Sequence, residues 1–248
     1  MPEGPTIVIL RQAIEELNLK GENIEFAEGT AKIDIERVIG QKVIDFRSWG
    51  KHFLICFEGF TLRIHFMLFG SYLINERKKM QVRLSLQFEK AELNFYACSV
   101  KILEQNAEEI YDWEADIMSE NWNSRKAEEK LEKASDMFIC DALLDQKIFS
   151  GSGNIIKNEV LFRIRVHPLS VLGKIPEAKL KEMVIETRAY SFDFLEWKKK
   201  NTLKKPWLAH TKKICPRCLI PFHKEYLGKT KRRSYYCTNC QVLYGGKK

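Results

Sequence analysis

Cys215-Pro216-Arg217-Cys218, answered 18 residues later by Cys237-Thr238-Asn239-Cys240-Gln241, is the stretch from which the rest of the chain can be placed. Each Cys-x-x-Cys can present two thiolates at a tight turn, and two such turns brought together by a hairpin complete a closed tetrahedral site. Cys215, Cys218, Cys237 and Cys240 are therefore expected to hold one structural Zn2+. The competing reading, two redox disulfides, lacks a thioredoxin-like surrounding pattern, and His223, between the pairs, is expected to be a loop residue. The other three cysteines, Cys56, Cys98 and Cys140, lie among apolar neighbours and read as reduced core thiols, which points to a cytoplasmic protein.

The cysteine pairs sit in a strongly basic segment. Residues 198–248 carry 15 Lys and Arg against one acid, Glu225, whereas the remainder of the 248-residue chain carries 26 basic and 32 acidic residues. The overall net charge of +8 thus comes from the tail. A segment of that kind seeks a polyanion, of which nucleic acid is the commonest. The longest run without Asp, Glu, Lys or Arg is 13 residues, 234–246, whereas a membrane-spanning helix needs about 20 apolar residues. No membrane partner is expected. Glu3 and Pro5 occupy the place of a basic leader segment, so no signal peptide is expected either.

Upstream of the tail the hydrophobic period changes twice. Residues 5–18 repeat apolar side chains at helical spacing, with Pro5 near the first turn. From 22 to 103 the spacing is that of strands, with segments 52–57, 61–66, 82–88 and 92–97 rich in Phe, Ile, Leu and Val, which predicts an antiparallel β-sandwich. Residues 104–123 are acidic and read as a connector. Helical spacing returns in 125–134, 137–146, 154–165 and 177–188. The fold class is α+β: an N-terminal β-sandwich domain with a leading helix (1–123), a helical domain (124–200) and a zinc hairpin (201–248). Gly151-Ser152-Gly153 opens directly onto the helix at Asn154, where backbone N–H groups and the helix dipole can receive an anion, although an ordinary turn between helices would look the same.

Met1-Pro2-Glu3-Gly4-Pro5-Thr6 begins the chain. Initiator Met is expected to be removed before a small residue, which would give Pro2 a free secondary amine. An α-amine has a pKa near 8, far below a lysine, so part of it is a nucleophile at neutral pH. Glu3 is then within reach as a proton donor and acceptor. A bare helix entry is the simpler reading of the same residues.

Taken together, Pro-Glu-Gly-Pro at the start, Gly50-Lys51 in the sheet, Gly-Ser-Gly-Asn-Ile at 151–155 followed by Asn158-Glu159 and His167-Pro168, and the four-Cys hairpin resemble the formamidopyrimidine-DNA glycosylase/endonuclease VIII family. The opening Pro-Glu-Gly-Pro is closer to the endonuclease VIII branch. The resemblance implies a helix-two-turn-helix DNA-binding domain and a zinc finger. It implies a bifunctional glycosylase and abasic-site lyase of base-excision repair, in which Pro2 attacks C1′, Glu3 protonates the sugar oxygen, Lys51 contacts phosphate, and β,δ-elimination cuts the strand. Asn154 and Arg232 would bind backbone phosphates. Met67, Leu68 and Phe69 would fill the space left by the flipped base, Leu68 centrally, although an apolar run there could equally be a buried strand. The implied partner is double-stranded DNA with oxidised or abasic sites, bound by a monomer. Thr6 replaces a usual second glutamate, and Asn158 a usual acid beside the retained Glu159. The 26 residues from 189 to 214 leave modest room for the loop that caps oxidised purines, which favours oxidised pyrimidines. Oxidised purines, or damaged-DNA binding without catalysis, are the alternatives.

Overall fold

The computed structural model describes residues 2–245. Met1, and residues 246–248 of the expected zinc-hairpin domain, lie outside the described residues. The chain divides into two compact units, the first ending at Asp112 and the second beginning at Trp113.

The first unit opens with α1 (Gly4–Glu15), whose Ile7, Leu10 and Ile14 form a buried stripe. The helix stops short of residue 18, where Asn18 takes the left-handed conformation (φ 54°) and turns the chain. Strands β1 (Phe26–Glu28), β2 (Asp45–Trp49), β3 (His52–Cys56), β4 (Thr61–Ile74), β5 (Leu84–Gln87) and β6 (Glu92–Leu103) follow. They form one antiparallel sheet in the order β1-β5-β6-β4-β3-β2.

The two layers of the expected sandwich are therefore halves of one continuous sheet. β4 and β6 are its longest strands and belong to both halves. Their pairing breaks register between Phe66 and Ser71, opposite Ala97, which is left-handed at φ 47°. Before the break β4 lies between β3 and the end of β6; after it, the start of β6 lies between β4 and β5. Both halves contribute to a single core, with Phe53, Ile55 and Leu62 from one side and Leu84, Leu86 and Leu93 from the other. Strand alternation predicts two apolar faces, but it cannot show that two strands are shared. A short helix, α2 (Ala107–Ile110), ends the unit, with Glu108 paired to Arg47 of β2.

The second unit contains α3 (Ser124–Lys133), α4 (Ile139–Ala142), α5 (Asn154–Arg163), α6 (Glu177–Lys199) and the hairpin β7 (His223–Leu227) and β8 (Arg232–Tyr236). Asn123 caps α3 by accepting from Lys126 N at 3.2 Å. Two expectations change here. The helix expected over 137–146 is a single turn, because the following residues close three-residue turns, such as Leu144 N to Asp141 O at 3.0 Å and Ile148 N to Asp145 O at 3.1 Å. Ile148 and Phe149 are buried by those turns, so their apolar spacing mimics a helix. The helix expected to end at 188 instead continues to Lys199, since Tyr190, Phe194 and Leu195 keep the buried period going. Among the described residues no helix is long and apolar enough to cross a membrane.

The three scattered cysteines are buried as expected. Burial pushes the Cys56 thiol up to about 11, and the Cys98 and Cys140 thiols up to about 12. They are poor nucleophiles and pack as small apolar side chains.

Candidate catalytic residues and nucleic-acid interface

In the first unit Glu3 is the residue from which α1 starts, and it is fully buried although it is a carboxylic acid. A fully buried glutamate is rare unless something holds it or uses it. Pro2, beside it, is half-buried. Thr6, which stands where a second glutamate was expected, closes the first turn in both directions. Its hydroxyl accepts from Glu3 N at 3.1 Å and donates to Glu3 O at 2.7 Å. Thr6 therefore fixes the backbone that carries Glu3, a job for a short hydroxyl side chain.

Lys51 lies at the tip of the two-residue turn between β2 and β3, closed by the pair Trp49 and His52. Gly50 precedes it at φ 52°, the positive value that a tight hairpin requires at its first position. The turn is braced from β4 by His65, whose Nδ1 lies 3.1 Å from Lys51 O. His65 meets His52 edge to face at 5.1 Å, and His52 also packs against Trp49 and Tyr111. Burial, reinforced by the nearby Arg63, His65 and Lys51, pushes the His52 pKa down to about 3. The hairpin that presents Lys51 thus stands on a neutral aromatic cluster, which sequence reasoning did not anticipate because its members are scattered from residue 49 to 111.

Met67, Leu68 and Phe69 occupy the register break in β4 and are 56%, 58% and 84% exposed. The alternative of a buried strand does not hold. Gly70 explains the geometry: a Cβ there would lie 2.7 Å from Phe66 Cβ and 2.9 Å from Ala97 O, so only glycine lets the strand press back against β6 after projecting the three side chains.

In the second unit the turn before α5 is built as a cradle. Gln146 staples it, accepting from Gly151 N at 3.1 Å and donating to Leu144 O at 2.8 Å and Ser152 O at 3.1 Å. Asn154 is the first residue of α5, and its Oδ1 has no hydrogen-bond partner among the described residues. The positive end of the α5 dipole lies at the same place, which suits an anion.

The polar residues that follow turn inward. Lys157 is almost fully buried and donates to Arg233 O at 3.1 Å and Ser234 Oγ at 2.8 Å. Asn158 donates to Asn154 O at 2.8 Å and to Arg233 O at 3.3 Å, and accepts from Tyr235 N at 3.1 Å. Glu159, fully buried, accepts from Leu208 N and Ala209 N, both at 2.9 Å, and from His210 N at 2.7 Å. These three residues tie α5 to β8 and to the segment before the cysteines. Glu159→Ala should therefore strand three N–H groups, one of them fully buried, and lower unfolding stability by about 3–5 kcal/mol, read from urea melts of the whole chain. A loss under 1 kcal/mol would show that the anchor is dispensable.

Cys215, Cys218, Cys237 and Cys240 come together, with all four sulfur atoms within 4.8 Å of one another. The Cys215 and Cys240 Sγ atoms are 3.7 Å apart, close to the roughly 3.8 Å edge of a tetrahedron with ~2.3 Å metal–sulfur bonds. The cluster can therefore hold a metal ion. Gln241 locks the second knuckle, accepting from Cys237 N at 2.8 Å and donating to Val166 O at 2.9 Å. His223, expected in a loop, is instead the first residue of β7; it stacks on Tyr236 at 5.2 Å and stands outside the cluster. Arg232 is exposed at the start of β8, while its neighbour Arg233 is drawn to Tyr226.

Two family models match the chain: the formamidopyrimidine-DNA glycosylase N-terminal domain over residues 1–98, and the formamidopyrimidine-DNA glycosylase H2TH domain over 114–191. Endonuclease 8-like 3 of Mus musculus is 31% identical over 201 residues, covering 77% of this chain and 33% of that protein. Endonuclease 8-like 2 of Bos taurus is 33% identical over 196 residues, 73% of this chain and 58% of that protein. The chain thus spans about a third of the first relative and under two thirds of the second. Among solved structures, a viral DNA glycosylase superposes with a TM-score of 0.84 at 18% identity, over 97% of this chain and 100% of its own. The Lactococcus lactis formamido-pyrimidine DNA glycosylase, non-covalently bound to DNA containing an AP site, superposes with a TM-score of 0.83 at 18% identity, over 96% and 99%.

Proposed function

The chain belongs to the formamidopyrimidine-DNA glycosylase family, in its endonuclease VIII branch, and from that premise we propose that it is a DNA glycosylase and abasic-site lyase acting on oxidised pyrimidines in duplex DNA. The observation that carries this is the trio Met67, Leu68 and Phe69, three successive large apolar side chains more than half exposed on a braced strand. Folding gains nothing from exposing them, whereas extruding a base requires apolar groups that replace it in the stack.

The chemistry falls to the start of α1. In a chain whose first residue is Pro2, the amine sits at the positive end of a helix, which disfavours its protonation and leaves the lone pair available. That lone pair forms the bond to C1′ as the bond from C1′ to the base breaks, and the base leaves with the proton that the amine nitrogen gives up. Glu3 protonates the sugar ring oxygen so that the ring opens to an iminium. Loss of the acidified C2′ proton then expels the 3′ phosphate, and a second elimination expels the 5′ phosphate. Lys51 on its hairpin and Asn154 at α5 hold backbone phosphates, as Arg232 does from β8.

The metal of the four cysteines is proposed to be Zn2+, which supplies a cross-link in place of a hydrophobic core. Preference for oxidised pyrimidines is supported by α6, since its extension to Lys199 leaves only 15 residues, 200–214, before Cys215. That is less than the sequence alone suggested, and little for a loop that would close over a purine. Lesion-containing duplexes test the proposal: the protein should excise an oxidised pyrimidine, and Leu68→Ala combined with Phe69→Ala should slow excision about 10- to 100-fold, with a smaller effect on an already abasic site, where no base has to be removed. Equal loss on both substrates would remove base extrusion as the role of the trio, and no excision by the unaltered protein would overturn the proposal.

A further inference from the structure

Asp141, in the single turn of α4, is 6% exposed and directs its carboxylate at the turn joining β7 to β8. It accepts from Lys229 N at 2.9 Å, from Thr230 N at 3.1 Å and from the Thr230 hydroxyl at 3.0 Å. The fit extends to Gly228. A Cβ on Gly228 would stand 2.5 Å from each carboxylate oxygen, and its φ of +72° is itself one that other residues rarely take. A carboxylate that receives three donors from one turn, with glycine where any side chain would displace it, holds that turn in a single position.

We propose that Asp141 is a positioning residue for Arg232, an anionic latch on the hairpin rather than a group that touches DNA. Arg232 pairs with Leu227 across the hairpin and directly follows the turn. On one side of it the backbone is held at Lys229 and Thr230 by Asp141. On the other side it is held at Arg233 and Tyr235 by Lys157 and Asn158, and Lys157 also holds the Ser234 hydroxyl. Arg232 is the exposed residue between two fixed points, so its Cα and its direction are set before any phosphate arrives, and ordering the strand does not have to be charged against binding. The turn also carries Lys229 and Lys231 beside Arg232, and Asp141 grips that basic turn through its backbone and the Thr230 hydroxyl.

This inference rests on Arg232 binding a backbone phosphate, and the experiment separates the two. The full chain with its metal is titrated with an abasic-site duplex across a salt series, comparing unaltered protein with Arg232→Ala, Asp141→Ala, Asp141→Asn, Gly228→Ala and the double variant Asp141→Ala/Arg232→Ala. Arg232→Ala should weaken binding about 10-fold and flatten the plot of log affinity against log salt by about one counterion. Asp141→Ala should reproduce both changes, and the double variant should be no weaker than Arg232→Ala alone. Asp141→Asn should recover part of the loss, because an amide oxygen still accepts. Gly228→Ala, which pushes the turn off the carboxylate without changing charge, should resemble Asp141→Ala. Metal content should stay equal throughout, which excludes a collapsed hairpin as the cause. Unaltered affinity and slope in both Asp141→Ala and Gly228→Ala, or losses that add in the double variant, overturn the latch. If Arg232→Ala itself changes nothing, the phosphate role of Arg232 falls, and the latch loses its object.

Discussion

Protein whose first residue is Pro2, mixed with an abasic-site duplex and reduced with borohydride, is expected to form a covalent adduct with the DNA, and one alanine placed ahead of Pro2 is expected to abolish it. The reason is elementary. An added residue turns the amine into an amide, whose lone pair is delocalised into the carbonyl and no longer attacks carbon. The insertion is gentle, since Pro2 is only half-buried and α1 begins after it. A companion change separates nucleophile from acid: Glu3→Gln keeps the shape of the buried side chain but cannot donate in the same way, and should slow base excision by about 10²–10⁴-fold. Adduct formation that survives the blocked amine would assign the nucleophile to a lysine, and Lys51 would be the first to examine. Mass spectrometry of the N-terminus belongs in the same experiment, because retained Met1 would itself block the amine.

The second large effect concerns the four cysteines. The cluster they form is bounded by a very small core in which, among the described residues, Phe162 and Ala209 accompany Cys215 and Cys237 as buried members. A hairpin of that size does not fold on apolar burial alone, and in isolated zinc-finger peptides the metal contributes about 10–16 kcal/mol of folding free energy. Purified protein should contain one zinc per chain by elemental analysis. Cys237→Ser, or stripping with a strong chelator, should free the hairpin that bears Arg232 and weaken duplex binding about 100-fold, with loss of most of the salt dependence that Arg232 and its neighbours contribute. Metal-free protein that binds as tightly as the native form would show that the hairpin is held by Lys157, Asn158 and Asp141 without help from a metal.

What could be read in advance, and what could not, follows a physical division. The cysteine spacing, the leading helix and the glycine turn before α5 are local signals, written within a few residues, and the structure carries all three. The trio at 67–69 was legible as apolar from its residues, and as exposed only through the family resemblance, since exposure depends on Gly70 fitting against Ala97, 27 positions away. Asp141, Gln146, Lys157 and Glu159 were illegible as anchors. Polar side chains on short helices and turns ordinarily face water, and here most of their partners are backbone groups, which carry no sequence signature at all. Asn158 is the instructive middle case: recognised as a departure from the family pattern, it links α5 to β8 through Arg233 O and Tyr235 N.

The shared strands of the sheet bear on more than topology. A probe driven into a stack of bases meets resistance, and it succeeds only if its mounting yields less than the stack does. Met67, Leu68 and Phe69 project from the seam where β4 passes from one half of the sheet to the other, with six paired residues of β4 before the seam and four after it, all on the same partner strand. Under the proposed role of the trio, recoil would be spread along both halves instead of bending a free loop. A sandwich of two separate sheets would have had to place the trio on a connecting loop; one continuous sheet gives it a stiff handle.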